Sequence, residues 1–505
     1  MASGLAGPAA LDEKPSSWVR RAAVASVAAA LAAGGFVLLT QSGEGEGSGD
    51  GRRSAARPAA GAPGAAVSLA SLTARTRANP RDDGAWTALG TALVERGARV
   101  ADATYYPKAQ AALKRSLSLR PAERGNVAAM AGMARLSHAR EDFAAARRWG
   151  EAVQRLAPGE WATYPLLIDT YGRLGDAKAA ARTAEQLTER RGGAAALGWT
   201  AQTYRDKGWR EDAAVLAAQA AATAEAAPEK AEQLRRVAEL AWERGELTES
   251  LGYFDASLAL DRRRGATVAG RARVLAALGR TTEAVKGYRA ALALSPRPEY
   301  SLELGELVEA TGGEGAGAAQ FGVVRAQVAH NRAQGVLGDL VLGRLEADHG
   351  DPEEAVQLLR AEWSRRPGAE VADALGWALH RTGDDEAALE YARRAVKEGV
   401  RSALFLYHRG EIERGLGDYG AARRHLSEAL RVNPAFSPLW VPRAEEALER
   451  LGEPPEGGPR QVWPKVVKPK SSAGSARASG SRGESRNTAP APRVRKPEPA
   501  ARKRQ

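Results

Sequence analysis

A small signature recurs through the middle of this chain at nearly constant intervals: a glycine, a polar or small residue, and an alanine three or four positions later. The successive glycines are 33, 37, 34, 71, 33 and 34 residues apart. The interval of 71 is about two steps, so a degenerate unit is predicted near 299–332. A fixed period near 34 indicates stacked helix–turn–helix units, because one unit cannot bury its apolar stripe alone. The glycines are Gly175, Gly208, Gly245, Gly279, Gly350, Gly383 and Gly417.

The composition favours helices over strands. Hydrophobic residues make up 44% of the 505 residues but aromatic residues only 6%, and alanine fills much of the apolar fraction. Alanine loses no side-chain entropy in a helix, so the sequence predicts an all-α fold. The absence of cysteine excludes disulfides, thiolate metal sites and a cysteine nucleophile. High alanine, glycine and arginine with low lysine is also typical of a GC-rich bacterial genome.

The residues around these glycines resemble the tetratricopeptide repeat (TPR) family. In that family, bulky residues and a Leu-Gly pair mark the first helix (A), whereas alanines, a bulky residue and a closing proline mark the second helix (B). The resemblance covers about 370 residues and implies a right-handed α-solenoid of about ten TPR-like helical hairpins, with a C-terminal capping helix at 438–451. Two units that carry it contain Val268, Leu275, Gly279, Ala284, Tyr288, Ala291 and Pro296, and Gly410, Gly417, Tyr419, Ala422, Leu426, Ala429 and Pro434.

Composition divides the chain into five segments. Residues 1–17 are predicted to be a cytoplasmic N-terminal segment and 18–40 a transmembrane or signal-anchor helix. Residues 41–66 are rich in Gly, Ser, Ala and Pro, which predicts a flexible linker. The TPR solenoid is predicted over 67–455, and 456–505 is predicted to be a disordered basic tail.

The membrane prediction depends on an uncharged run of eighteen residues, 22–39, directly after Arg20 and Arg21. Eighteen apolar residues are near the lower limit for a spanning helix. Basic residues before the run and acidic residues after it predict that the N-terminus stays inside. The predicted localisation is therefore the cytoplasmic membrane, as a single pass with the TPR array outside. A cleaved signal peptide and an ordinary soluble helix are the alternatives.

The positive charge belongs to the C-terminal tail. Residues 456–505 contain thirteen Lys and Arg against three Glu, which accounts for most of the net charge of +12. The tail has almost no aromatic residues among its charges, so it is suited to contact polyanions through counterion release, with little sequence selectivity. A purely solubilising role is the alternative.

The sequence contains no catalytic or metal-binding constellation that we can identify. None of the six histidines pairs with another at metal-ligand spacing on one helix, and no nucleophile elbow, P-loop or dinucleotide fingerprint occurs. His408 and His425 lie on the two helices of one unit, where ordinary seam or surface roles are the simpler interpretation. We therefore predict a protein that is not an enzyme and has no cofactor and no metal.

In the TPR family, five positions of helix A face a concave groove, and their register implies a set of partner-groove residues here. Aromatic and arginine side chains provide much contact area per immobilised side chain, which suits a protein or peptide partner. The alternative is that these are ordinary polar-face residues. The candidates are Arg235, Glu239, Trp242, Arg273, Arg344, Asp373, Trp377, His380, Arg381, Tyr407, Glu411 and Arg414.

Taken together, these features predict a membrane-tethered, non-catalytic TPR scaffold or adaptor that binds a protein or peptide in its concave groove. The alternative is a cytoplasmic regulator or nucleic-acid-associated protein that uses the basic tail.

Overall fold

The computed structural model describes residues 68–453, and all regular secondary structure in this range is helical. There are 22 α-helices and two short 3-10 helices, Ala122–Arg124 and Trp161–Thr163. The α-helices are α1 (Leu69–Ala78), α2 (Asp83–Val100), α3 (Tyr105–Leu119), α4 (Val127–Ala139), α5 (Phe143–Leu156), α6 (Tyr164–Arg173), α7 (Ala177–Arg190), α8 (Gly193–Asp206), α9 (Arg210–Thr223), α10 (Ala227–Glu243), α11 (Leu247–Leu260), α12 (Gly265–Ala277), α13 (Thr281–Leu294), α14 (Pro298–Gly312), α15 (Ala318–Ala333), α16 (Leu340–His349), α17 (Pro352–Arg365), α18 (Ala369–Arg381), α19 (Asp385–Ala395), α20 (Ala403–Gly415), α21 (Tyr419–Val432) and α22 (Trp440–Leu451).

Consecutive helices pack as hairpins, from α2 with α3 to α20 with α21. The first helix of each hairpin occupies position A and the second occupies position B, and each hairpin stacks on the next. The predicted all-α solenoid is therefore confirmed. The hairpin α14–α15 lies where the sequence predicts a degenerate unit, and α22 packs on α21 at the C-terminal end of the array.

The recurring Gly-Asp pairs explain how the chain turns from helix A to helix B. Gly417 has φ of 78°, a left-handed conformation that glycine adopts without steric cost, and it ends helix A. The next residue, Asp418, caps helix B because its side chain accepts a hydrogen bond from the N–H of Ala421. Gly350 departs from this pattern with φ of −155°, so its hairpin turns without a left-handed residue.

Small residues on the A helices let the B helices approach closely. A Cβ atom on Gly270 would lie 2.4 Å from the ring of Phe254, and one on Gly305 would lie 2.4 Å from the ring of Phe321. Because both phenylalanines are almost completely buried, neither ring has space to move away. These glycines are thus packing positions that admit an aromatic ring, and at Gly90 and Gly343 the glycine of the pattern admits a leucine side chain instead.

Successive coils of the solenoid touch each other along a line that we call the coil seam. In each contact, the end of an A helix or the turn after it meets a turn that follows a B helix 191–199 residues later. One superhelical turn therefore takes between five and six hairpins. The contacts along the coil seam are Ala98 with Arg297, Arg140 with Leu337, Arg173 with Glu370, Gly208 with Gly399, and Trp242 with Asn433.

The predicted membrane localisation needs correction. None of the helices in residues 68–453 is long and apolar enough to cross a membrane. The longest, α2, has 18 residues but carries two acidic and two basic side chains, each of which is costly in hydrocarbon. The assignment as a single-pass protein of the cytoplasmic membrane is therefore not upheld. The predicted segments 1–17, 18–40, 41–66 and 456–505 lie outside the described residues.

Candidate functional site on the inner wall

The A helices line the concave side of the solenoid. Neighbouring A helices contact each other directly, as α2 does with α4 and α16 with α18, whereas neighbouring B helices have no contact of similar extent within residues 68–453. The A helices therefore follow the shorter, inner path. We call the side chains that α6 to α20 present to this side the inner wall.

The centre of the inner wall is an ion-pair network that joins three A helices. Arg273 of α12 reaches Glu239 of α10 at 3.2 Å and Glu303 of α14 at 2.7 Å, and its guanidinium lies 4.9 Å from the ring centroid of Trp242. Burial by itself would lower the pKa of Arg273, but Glu303 and Glu239 raise it well above the ordinary arginine value. Arg235 adds a longer contact of 3.6 Å to Glu239. The structure thus brings together four predicted groove residues.

A second group of candidates lies deep between α18, α20 and α22. Trp377 and Tyr407 are only 4% and 2% exposed, and each ring lies 5.7 Å from the ring of Trp440 in the C-terminal helix. Asp373 is 2% exposed, and both of its carboxylate oxygens lie 3.0 Å from Nδ1 of the buried His408. These side chains hold the last hairpins together, because their polar atoms and rings face other residues of this chain.

The remaining candidates sit closer to the surface of the inner wall. His380 pairs with Asp385, and Nε of Arg381 donates to the carbonyl oxygen of Ala347 at 3.1 Å. Arg414 pairs with Glu411 at 2.7 Å. The exception is Arg344 of α16, whose guanidinium has no hydrogen-bond or ion-pair partner in the part of the chain that the structure describes.

The inner wall also contains a carboxylate that the sequence analysis missed. Glu306 of α14 has no hydrogen-bond or ion-pair partner among residues 68–453. Burial, followed by the nearby charges of Asp348 and Glu303, raises the pKa of Glu306 to about 8. Among the described residues, Glu306 and Arg344 thus lack a hydrogen-bond or ion-pair partner, although the charge of Arg344 is near enough to offset part of the rise in the pKa of Glu306.

The raised pKa of Glu306 makes stability depend on pH. The folded chain holds a proton on Glu306 up to about pH 8, whereas the unfolded chain releases it near 4.5. The contribution of Glu306 to stability therefore falls as the pH rises between these two values. We expect Glu306→Gln to have a higher melting temperature than the parent at about pH 9, and the difference to disappear at about pH 4. An equal difference at both pH values in thermal unfolding followed by circular dichroism would contradict this expectation.

The sequence analysis also missed two ion pairs of the inner wall. Arg173 contacts Glu370 across the coil seam at 2.8 Å and lowers the pKa of Glu370 to about 2, while Arg205 contacts Glu243 at 2.6 Å. Arg173 and Arg205 stand two and three residues before a turn glycine, the register also occupied by the candidates Arg381 and Arg414. Extending that register to every turn glycine would have found them.

The structure gives no support to metal chemistry by the histidines. Within residues 68–453, no group of three or more His, Asp and Glu side chains could hold a metal ion. His408 faces Asp373, whereas Nδ1 of His425 lies 2.6 Å from Glu413. The two histidines of the last hairpin therefore contact different carboxylates.

The hairpin array, the turn glycines and the inner wall can now be compared with known proteins. The tetratricopeptide repeat family model matches residues 340–403. That stretch runs from the start of α16 to the first residue of α20 and so contains two complete hairpins. The TPR resemblance is confirmed for this stretch, and the number of TPR units in the whole array stays a prediction. A search of curated protein sequences finds no match.

Several solved structures share the helical repeat fold. The Cut9–Hcn1 hetero-tetramer of the APC/C matches at 15% identity and a TM-score of 0.40, over 76% of this chain and 83% of that one. Yeast Tom70 matches at 13% identity and a TM-score of 0.32, over 76% and 91%. A tetratricopeptide repeat protein from Parabacteroides merdae matches at 17% identity and a TM-score of 0.30, over 51% and 98%. The comparisons do not support the predicted bacterial origin.

Proposed function

We propose that this chain is a non-catalytic scaffold that binds an extended segment of a partner protein along its inner wall. TPR folds are typically protein-interaction scaffolds, and the tetratricopeptide repeat match at 340–403 supports that general role. The observation that carries the proposal is that the wall is charged and open. The side chains of Arg235, Glu239, Arg273 and Glu303 remain 21–27% exposed although they lie on the concave side.

The spacing of the A helices suits an extended peptide. Packed helices are about 8–10 Å apart, and an extended chain advances about 3.3 Å per residue, so each A helix would meet about every third residue of the segment. Charged groups at that spacing recognise a pattern of side chains as well as the peptide backbone. Arg344 suits a carboxylate or carbonyl oxygen of the segment, and Glu306, which holds its proton up to about pH 8, can donate a hydrogen bond to a carbonyl oxygen.

The candidates divide by their accessibility. Arg235, Glu239, Trp242, Arg273 and Arg344 are the side chains that we propose for direct contact with the segment. His380, Arg381, Glu411 and Arg414 would extend the same surface toward the C-terminal hairpins. For the buried Asp373, Trp377 and Tyr407, we propose an indirect role, in which they fix the spacing of the last A helices that the segment contacts.

Site-specific photo-crosslinking in the cells of origin tests this proposal. A photoreactive residue replaces Arg235 on the inner wall in one full-length variant, and Arg289 in another. Arg289 is the matched control because it is an exposed arginine on the B helix α13. We expect a discrete crosslinked partner from position 235 and none from position 289, since only the inner wall holds the segment. Equal capture at both positions, or capture at 289 alone, contradicts the proposal.

A further inference from the structure

A cavity of about 770 Å³ lies at the coil seam, outside most of the predicted groove. Its walls come from parts of α6 to α10 in one coil and, in the next, from Arg344 of α16, the stretch between the end of α17 and α20, and the segment after α21. Close backbone approaches cross the seam at Gly175 with Pro367 and at Gly208 with Gly399; the first two residues line the cavity, and residues within two positions of the other two do so as well. Cavities of this volume between packed structural units are typical sites for small ligands.

The charges around the cavity favour an anion. Its lining contains eight arginine and lysine side chains against five aspartate and glutamate side chains. Most of the acids have basic partners, but the side chains of Arg344 and Lys397 form no ion pair among residues 68–453. The pKa of Glu370 is low because the positive charge of Arg173, followed by the charges of Arg344 and Arg366, stabilises its carboxylate. The surroundings of Glu370 are therefore positively charged as well.

Much of the remaining lining is apolar, which further restricts the chemical class of the ligand. Trp363, Leu404 and Phe405 contribute apolar surface on one side, and Ile168 and Ala180 contribute it on the other. A free inorganic anion would leave this surface in contact with water, whereas a ligand with a hydrocarbon or aromatic body would cover it.

One further polar group around the cavity lacks a partner. The indole N–H of Trp242, which also lines the cavity, is buried without an acceptor in the described part of the chain. An oxygen acceptor supplied by a ligand would satisfy a donor of this kind.

We propose that the seam cavity binds a small organic anion with an apolar body, whose acidic group contacts Arg344. Such a ligand touches both coils at once and so stabilises the closed coil seam, by an amount that grows with the logarithm of its concentration once this exceeds the dissociation constant. The seam cavity shares Arg344 and Trp242 with the side chains proposed to contact the peptide segment, but binding of a small anion is measured without any peptide, so the two proposals can fail separately.

Binding of 8-anilinonaphthalene-1-sulfonate to the full-length protein tests the proposal, with neutral N-phenyl-1-naphthylamine as the uncharged comparison. We expect saturable binding of the sulfonate. Arg344→Gln should weaken it about tenfold, because a charge-assisted hydrogen bond is lost, and leave the affinity for the neutral probe unchanged. Arg360→Gln, an exposed arginine on α17 away from the cavity, is the matched control and should alter neither affinity.

A second variant tests the position of the site. Ala177→Trp places a large side chain at the first residue of α7, where it lines the cavity, and should weaken both probes. The proposal is overturned if the sulfonate does not bind, if Arg344→Gln and Arg360→Gln bind it equally well, or if Ala177→Trp leaves both affinities unchanged.

Discussion

Gly208→Ala is expected to destabilise the folded chain by about 2–4 kcal/mol, the sum of a strained backbone and a close steric contact. Gly208 has φ of 75°, which an L-alanine adopts only with strain. Its new Cβ would also lie 2.0 Å from the carbonyl oxygen of Gly399 in the next coil. Because the obstacle is backbone, it cannot rotate away, so the two coils must separate locally. Urea denaturation and the radius of gyration from small-angle X-ray scattering measure the two effects.

Gly279→Ala is the matched control for this prediction. Gly279 has φ of 73°, but a Cβ atom there would meet nothing within 4 Å. We expect Gly279→Ala to cost about 1–2 kcal/mol from the left-handed conformation alone and to leave the radius of gyration unchanged. If both variants lose the same stability and neither expands, the coil seam does not contribute to the fold in solution.

Asp373→Ala is expected to destabilise the chain by about 2–3 kcal/mol, because it removes a buried carboxylate and leaves its hydrogen-bond partner unsatisfied. Asp373 and His408 are 2% and 5% exposed, and Nδ1 of His408 lies 3.0 Å from both carboxylate oxygens. Removal of the carboxylate leaves the imidazole nitrogen buried without a partner. The imidazole also stacks on Trp377 at 4.3 Å, so the packing between α18 and α20 depends on it. Urea denaturation followed by circular dichroism gives the free energy of unfolding.

Arg414→Ala provides the comparison, because Arg414 also belongs to an ion pair of the last hairpin. Its side chain is 37% exposed, so we expect its loss to cost less than about 1 kcal/mol. If Asp373→Ala is no more destabilising than Arg414→Ala but weakens partner binding, then Asp373 acts in the groove and our assignment of a structural role fails.

The hairpins and their packing are encoded locally, which is why the sequence predicted them. Each turn needs a left-handed glycine and a capping side chain, as at Gly417 and Asp418, and each close helix contact needs a small residue, as at Gly270 against Phe254. These requirements recur with every unit, so the period alone indicates the fold. Arg235, Glu239 and Arg273, which the same register assigns to the groove, lie close together on two neighbouring A helices, and their role in binding stays a prediction.

The repeat register could not assign groove residues in the degenerate unit. Glu306 lies in α14, and the turn after that helix, residues 313–317, is longer than the turns of two to four residues that join the other A and B helices. Without a turn glycine in the usual position, the groove positions of α14 could not be counted. The repeat register also could not show how deeply a side chain is buried. It places Trp377 and Tyr407 on the groove positions of their helices, but only the tertiary structure shows how closely α22 covers them.

The sequence by itself determined the helical hairpin, its period of about 34 residues and the concave side that helix A lines. Only the tertiary structure decided that successive coils touch, that Arg173 meets Glu370 across 197 residues, and that a cavity forms between the coils. The physical reason is that the rotation between neighbouring hairpins is small and is set by many packing contacts. The total rotation over five to six hairpins decides whether two coils meet, and no single repeat encodes that total rotation.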